Sequence, residues 1–244
     1  MSADRWLRRF VPRADADVRL VCFPHAGGSA TAYREWAAAL PDRIEVVAMQ
    51  YPGRTDRYAE YAHTSMADLA DAAADALSDL ARRPYAAFGH SMGAAVAYET
   101  VLRLRTAGFP EPARLVVSAR EAPQHSHHGT MHLRGEAALL AGLQRYCGTP
   151  ADLLRDPETR ELMLSTMAAD CQLIETYRPT RAGQLLRCPV TAMVGDGDTT
   201  VTTSEAADWT TITSGTFELK VFPGGHFYLV PQQRQVLQHL TELL

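Results

Sequence analysis

The stretch that decides the fold is AAFGHSMGAAVAYE, residues 86–99. A short apolar run leads into Gly89-His90-Ser91-Met92-Gly93, and an alanine-rich, helix-forming run follows. The pattern G-x-S-x-G in this setting predicts a strained strand-to-helix turn, where the glycines avoid clashes and the serine is exposed. The five residues alone are a weak signal. Their position between a strand and a helix favours Ser91 as a nucleophile over a simple N-cap serine.

Working outward from this stretch, short apolar runs alternate with helical patterns. Runs rich in β-branched residues predict strands at 18–24, 44–50, 85–89, 114–119, 189–195 and 217–222, and helical spacing predicts helices at 32–40, 65–80, 92–106, 205–211 and 231–244. Almost continuously apolar strands are typical of a parallel sheet covered on both faces. We therefore expect a single α/β domain over residues 1–244, with a mostly parallel, doubly wound sheet.

One segment interrupts this alternation. Between Ala119 and Pro189 no strand is predicted; a polar, His-rich loop is followed by helical patterns at 138–146 and 158–177. Long insertions in compact α/β domains are usually functional, and this one leaves the carboxyl end of a strand. We expect a helical lid over the site at about 123–177. The alternative is a helical pair that only extends the core.

Composition excludes several classes of protein. The chain has 244 residues and a net charge of −4, which argues against a nucleic-acid binder. Its cysteines form no C-x-x-C pair, a pattern that fits a reducing compartment without a metal site; they are Cys22, Cys147, Cys171 and Cys188. No signal peptide or membrane-spanning run is predicted, so we expect a cytoplasmic protein.

A serine nucleophile needs a base and an orienting acid, which in this architecture follow in the order Ser, Asp or Glu, His. His226 fits the base, because it follows the last predicted strand through a Pro-Gly-Gly turn. Asp198 fits the acid, since it lies in the loop after the preceding strand. Asp196 is a rival two residues earlier, and we expect it to cap the turn instead. Glu121 is a weaker rival.

Two backbone donors are needed to stabilise the oxyanion. The N–H of Met92, next to the serine, is the first. The second is expected from the loop after the first predicted strand, where Gly27 and Gly28 allow the backbone to approach closely. We predict the N–H of Ala26 as that donor, and we expect His25 to shape the loop.

At this point the motifs resemble one family. FPHAGGSA (23–30), QYPGR (50–54), GHSMGA (89–94), CGTP (147–150) and FPGGHFYL (222–229) are similar to the type II thioesterases of polyketide and nonribosomal peptide assembly lines. These are free-standing α/β-hydrolases, and the resemblance covers essentially the whole chain. It implies Ser91 as nucleophile, Asp198 as acid, His226 as base, and Ala26 and Met92 as oxyanion donors. It also implies hydrolysis of acyl groups from the phosphopantetheine thiol of an acyl or peptidyl carrier protein, without a cofactor.

Two other functions stay open: a general carboxylesterase, and a carrier-binding module without catalysis. The chain also departs from the family, because Thr199-Thr200 stands where many relatives have proline and Cys147 replaces a common glycine. These departures leave lid geometry and acyl preference open.

Two groups of basic residues invite further roles. The histidines of the polar loop match no standard metal-site spacing, so no metal is expected; they are His125, His127, His128 and His132. Three arginines are expected either to face the carrier's acidic helix or the pantetheine phosphate, or to be plain surface charge; they are Arg54, Arg57 and Arg120.

Overall fold

The structure is a computed structural model that describes residues 5–125, 129–147, 152–179 and 185–244. It contains a seven-stranded sheet in the order β1-β3-β2-β4-β5-β6-β7. The strands are β1 (Leu7–Arg8), β2 (Val18–Phe23), β3 (Ile44–Met49), β4 (Tyr85–His90), β5 (Leu115–Ser118), β6 (Val190–Gly195) and β7 (Phe217–Phe222). All neighbours are parallel except β1 and β3. The predicted fold class is confirmed: this is an α/β-hydrolase fold.

Seven α-helices connect and cover the strands within the described residues. They are α1 (Arg34–Ala39), α2 (Met66–Leu77), α3 (Met92–Thr106), α4 (Glu136–Cys147), α5 (Pro157–Glu175), α6 (Thr203–Ala207) and α7 (Gln233–Leu243). The predicted bounds agree at α3 and differ by one to four residues at the other helices. Tighter 3₁₀ turns account for part of this: they precede α1 at Ala30–Tyr33, follow α2 at Leu80–Arg82 and follow α6 at Asp208–Ile212. The helix predicted from residue 65 is capped by the Ser65 hydroxyl, which accepts from Asp68 N–H.

Each face of the sheet buries its own core. Alternate residues of one strand belong to different clusters: Val47 packs with α2 and α3, whereas Val46 packs with α1 and α7. This explains why the strand sequences are almost continuously apolar, since both faces are covered. Strand β1 was not predicted, because two residues pairing at an edge carry no readable periodicity.

Strand order determines where the loops meet. Ser91 directly follows central β4, Asp198 follows β6 in the next loop, and His226 follows β7. The parallel register pairs Gly89 with Val117 and Gly195 with Phe222, so these loops leave the same edge of the sheet. The carboxyl edge of such a sheet is where α/β folds bind ligands.

The inserted helices form a cluster of their own. Leu139 and Leu143 of α4 pack against Met167 and Cys171 of α5. Further along the same helix, Leu173 belongs to the core beneath the sheet. The helix α5 therefore has two environments: Met167 and Cys171 pack with α4, whereas Leu173 near its carboxyl end packs into the core of the sheet. No helix within the described ranges has the length and apolar character required to cross a membrane.

Candidate active site

The turn at Ser91 is strained in the way that its sequence predicts. Ser91 has φ 55° and ψ −120°, a conformation that non-glycine residues rarely adopt. A Cβ on Gly89 would overlap the Gly93 carbonyl, and a Cβ on Gly93 would overlap the Phe23 carbonyl. Both glycines are therefore required by close backbone approach. The turn presents the Ser91 hydroxyl at the start of α3, whose N-terminus favours negative charge.

The structure brings Ser91, His226 and Asp198 into a hydrogen-bonded line. His226 Nε2 lies 3.0 Å from Ser91 Oγ, and His226 Nδ1 lies 2.8 Å from Asp198 Oδ2. The Asp198 side chain is fully buried, whereas that of His226 is 14% exposed. A carboxylate at Nδ1 holds the imidazole with its Nε2 lone pair toward the serine hydroxyl. This arrangement can transfer a proton from serine to histidine.

Thr200 is an additional member of this line that the sequence did not predict. Its hydroxyl donates to Asp198 Oδ1 at 2.7 Å and lies 2.8 Å from His226 Nδ1. Its backbone N–H also donates to Asp198 Oδ1, at 2.8 Å. Burial alone would raise the pKa of Asp198, but hydrogen bonds and charge from His226 and Thr200 outweigh it and hold that pKa below its usual range. Asp198 is thus kept as a carboxylate.

The two rival acids lie elsewhere. Asp196 is exposed, and its Oδ1 accepts from Gly224 N–H at 2.9 Å, so it braces the loop that carries His226. Glu121 is buried and forms an ion pair with Arg120 at 2.9 Å. Of the three carboxylates, Asp198 is the one placed at His226.

The loop after β2 approaches the serine from the other side. Gly27 has φ 72°, and Gly28 N–H donates to the His25 carbonyl at 3.0 Å, so the chain turns tightly at the two glycines. The His25 ring lies over Gly28, where a Cβ would approach it to 2.9 Å. Ala26 and Ser91 line the same cavity. The N–H of Ala26 lies in this loop, and the N–H of Met92 directly follows Ser91. These two groups remain the predicted oxyanion donors.

Two histidines beside the site are neutral. Burial, then the positive charges of Arg54 and His226, lower the pKa of His25 to about 4. Burial, followed by the charges of His226 and His25, places the pKa of His90 well below its ordinary value. His90 Nδ1 lies 2.9 Å from Ser118 Oγ, which points its ring toward the sheet rather than the serine hydroxyl.

A cavity of about 350 Å³ opens beside Ser91 and His226. Part of its wall is apolar and comes from the inserted segment, through Met131, Met167, Cys171 and Ile174. Another part is charged, with Arg120, Glu121 and Glu175. An acyl group attached at Ser91 would extend into this mixed surface.

Both interpretations of the arginines were wrong for Arg54 and Arg57, which are 4% and 3% exposed. Arg57 pairs with Glu60 at 2.6 Å and lies over the Trp6 ring. Arg120 is turned inward as well, since its side chain is 13% exposed and lies at the cavity wall. The sequence gives the number of arginines, but it does not show which of them are buried or which carboxylates pair with them.

The described histidines of the polar loop each contact a carboxylate and do not form a cluster. His125 Nε2 lies 2.7 Å from Asp208, and His132 Nδ1 lies 2.5 Å from Glu175. His127 and His128 lie outside the described residues. In the ranges that the structure does describe, no group of three or more His, Cys, Asp or Glu side chains could hold a metal ion.

A serine at a strained elbow, facing a histidine and a buried carboxylate on this sheet, defines a serine-type hydrolase. Comparison with known proteins is more specific: a model of the thioesterase domain matches residues 18–244. The chain belongs to the thioesterase family, as the resemblance predicted, and is a hydrolase that acts on thioesters.

Individual relatives agree with this assignment. A probable cadicidin biosynthesis thioesterase of Streptomyces griseus is 41% identical over 246 residues, covering 100% of this chain and 67% of the relative. Thioesterase PikA5 of Streptomyces venezuelae is 38% identical over 240 residues, covering 98% of this chain and 85% of the relative. The structure of the type II thioesterase BorB, from the borrelidin biosynthetic cluster, superposes with a TM-score of 0.90 at 41% identity, covering 100% of this chain and 99% of that one.

Proposed function

We propose that the chain hydrolyses acyl groups from the phosphopantetheine thiol of an acyl or peptidyl carrier protein, through an acyl-serine intermediate. The observation that carries the proposal is the hydrogen-bonded line from Ser91 through His226 to Asp198. The relatives, which include a biosynthesis thioesterase and a type II thioesterase from a biosynthetic cluster, support the substrate class.

In the first half-reaction, Ser91 Oγ attacks the thioester carbonyl carbon while His226 Nε2 takes its proton. The N–H groups of Ala26 and Met92 bind the oxyanion that forms on the carbonyl oxygen. The intermediate collapses with cleavage of the C–S bond, and His226 returns the proton to the departing pantetheine sulfur. Asp198 stabilises the imidazolium throughout and keeps its own negative charge.

In the second half-reaction, His226 removes a proton from water, and the resulting hydroxide attacks the acyl-serine carbonyl. The same two N–H groups bind the second oxyanion. Collapse breaks the ester C–O bond, and the proton on His226 passes to Ser91 Oγ. The products are the free carboxylic acid and the original enzyme, so no cofactor is required.

The volume of the cavity favours a compact acyl group as the substrate's acyl part. At about 350 Å³, this volume lies near the lower end of the roughly 300–1,000 Å³ that is usual for small-molecule sites. A role in removing aberrant or stalled acyl units from a biosynthetic assembly line fits such a site. A cytoplasmic location is part of the proposal, and the buried thiols of Cys22 and Cys188 support it.

The test compares rates on acyl-carrier protein, the same acyl on N-acetylcysteamine, and the corresponding simple ester. We expect the highest kcat/KM on the carrier, because docking supplies binding energy remote from the reacting carbonyl. Ser91→Ala should abolish turnover while the melting temperature stays equal or rises, since alanine removes no contact that the fold needs. Equal rates on ester and carrier thioester would favour a general carboxylesterase. Carrier binding without turnover by the wild type would favour a binding module.

A further inference from the structure

A carboxylate from the inserted helix reaches the loop beside Ser91. Asp170 lies on α5 and its side chain is 1% exposed. Its Oδ1 forms an ion pair with Arg54, which is itself 4% exposed and follows β3. Its Oδ2 accepts from the backbone N–H of Gly27 at 2.7 Å. One buried side chain thus connects three separate segments of the chain.

The contact with Gly27 acts on the peptide next to the predicted oxyanion donor. Gly27 N–H belongs to the peptide that follows Ala26, and Gly27 has φ 72°. When Asp170 fixes the direction of the Gly27 N–H bond, it also limits the orientation of the Ala26 N–H, because the two peptide planes share the Ala26 Cα. A loop of glycines has high conformational entropy and does not hold such a geometry unaided.

The same helix is held at a second point one turn earlier. Thr166 Oγ1 donates to the Gly53 carbonyl at 2.9 Å, so Thr166 and Asp170 lie on one face of α5 against residues 53–54. The Arg54 guanidinium also lies 4.7 Å from the centre of the Tyr51 ring. Arg54 is therefore fixed from two sides, and it fixes the position of the Asp170 carboxylate in turn.

We propose that Asp170 is a positioning residue for catalysis, which aligns the Ala26 N–H with the developing oxyanion only while α5 is seated on the loop. This inference rests on the proposed roles of Ser91 and Ala26. Energy that seats α5, including that of a bound acyl group on Met167 or Ile174, is then used where the oxyanion forms. Separation of α5 from the loop leaves Gly27 N–H without its carboxylate and the donor misaligned.

The informative variant is Asp170→Asn. The charged Arg54 takes the amide oxygen, so the amide NH₂ is turned toward Gly27 N–H, where two donors oppose each other. We expect kcat to fall about tenfold to hundredfold, since misplacement of about 1 Å costs about that much, while KM changes less than about twofold. Adding Arg54→Gln should restore part of kcat, because the glutamine carbonyl accepts from the NH₂ of the new amide, whose oxygen then turns to Gly27 N–H.

A matched control removes a buried acid that does not reach the site. Glu99 pairs with Arg103 at 2.5 Å and accepts from Tyr177, just beyond α5, at 2.8 Å. Glu99→Gln should lower the melting temperature, as removal of one partner of a buried pair does, but leave kcat within about twofold. This separates loss of stability from loss of alignment.

The decisive readout is the binding of two inhibitors. An acyl trifluoromethyl ketone forms a tetrahedral oxyanion adduct with the serine, whereas a thioether without the carbonyl imitates only ground-state binding. For Asp170→Asn we expect the ketone to bind weaker by the same factor as the loss in kcat/KM, and the thioether to bind as in wild type.

Three outcomes overturn the inference: wild-type kcat in Asp170→Asn, equal weakening of both inhibitors, or no recovery on adding Arg54→Gln. A wild-type enzyme that binds the ketone no tighter than the thioether instead refutes the proposed function, and the inference with it.

Discussion

Replacing Asp198 with asparagine is the sharpest test of the line from Ser91 to Asp198, because the structure predicts the orientation of the new amide. Asp198 Oδ1 accepts from Thr200 N–H at 2.8 Å, Thr200 O–H at 2.7 Å and Val201 N–H at 3.3 Å. An NH₂ group could not replace an oxygen that faces three donors. The amide oxygen therefore occupies that position, and the NH₂ points at His226 Nδ1.

This orientation reverses the hydrogen bond at His226. The asparagine NH₂ donates to Nδ1, so the ring proton moves to Nε2, and Nε2 can no longer accept the proton of Ser91. The wrong tautomer in a catalytic triad costs about ten-thousandfold in kcat, which corresponds to about 5.4 kcal/mol. Thr200 reduces that cost here, because its hydroxyl oxygen lies 2.8 Å from Nδ1 and can accept the proton that the aspartate held.

We therefore expect Asp198→Asn to lower kcat about a thousandfold, roughly one power of ten less than the general value. Adding Thr200→Val removes the second acceptor, so the double variant should lose the full factor of about ten-thousandfold in kcat. The assay is single-turnover hydrolysis of an acyl-carrier thioester, with KM and melting temperature measured for each variant.

The matched control is Asp196→Asn, two residues earlier. Its Oδ1 accepts a single hydrogen bond, from Gly224 N–H at 2.9 Å, which an amide oxygen can accept equally well. We expect kcat within about threefold of wild type. If Asp196→Asn loses activity while Asp198→Asn keeps it, the catalytic acid is Asp196. If kcat of the double variant Asp198→Asn, Thr200→Val is no lower than that of Asp198→Asn alone, the tautomer argument is refuted.

The sheet and its catalytic loops could be predicted because they depend on local patterns. The strands β2 to β6 are buried, largely apolar runs, and periodicity reveals such runs wherever both faces are covered. The last strand, β7, is mostly half-buried or exposed, and its alternating apolar residues indicated it instead. The elbow at Ser91 could be predicted because backbone crowding at Gly89 and Gly93 leaves no room for other residues. Chain order then limited the base and the acid to the loops after β7 and β6.

The rest depends on contacts between distant segments, which have no local signature. Asp170 lies 143 residues from Gly27 and 116 from Arg54, so no spacing rule connects them. The one available signal was an acid on an otherwise apolar face of a predicted helix, which implies a buried partner. Thr200 carried a weak signal of its own, because a hydroxyl residue two positions after an aspartate commonly closes a local turn.

Three further predictions concern the surroundings of the site. Thr200→Val alone should lower kcat about threefold to tenfold at unchanged KM, because Asp198 loses one net hydrogen bond of ordinary strength but keeps the one from Thr200 N–H, whereas Thr200→Ser should retain activity. The pKa of His25 is near 4 in the folded chain and about 6.5 unfolded, so the unfolded state binds more protons between these values and stability is lost as pH falls. Between pH 7.5 and 5 this lowers the unfolding free energy of the wild type by about 2 kcal/mol. Over the same pH range, urea unfolding of His25→Asn should show a decrease that is smaller by about 2 kcal/mol. Finally, hydrogen exchange should divide the inserted segment in two. Thr166 and Asp170 hold α5 to the loops of the sheet, whereas the ion pair of His132 with Glu175 joins residues 129–143 to α5 itself. We expect slow exchange at 166–175 and faster exchange at 129–143 that slows when acyl-carrier protein binds; uniformly slow exchange would mean that the inserted helices only extend the core.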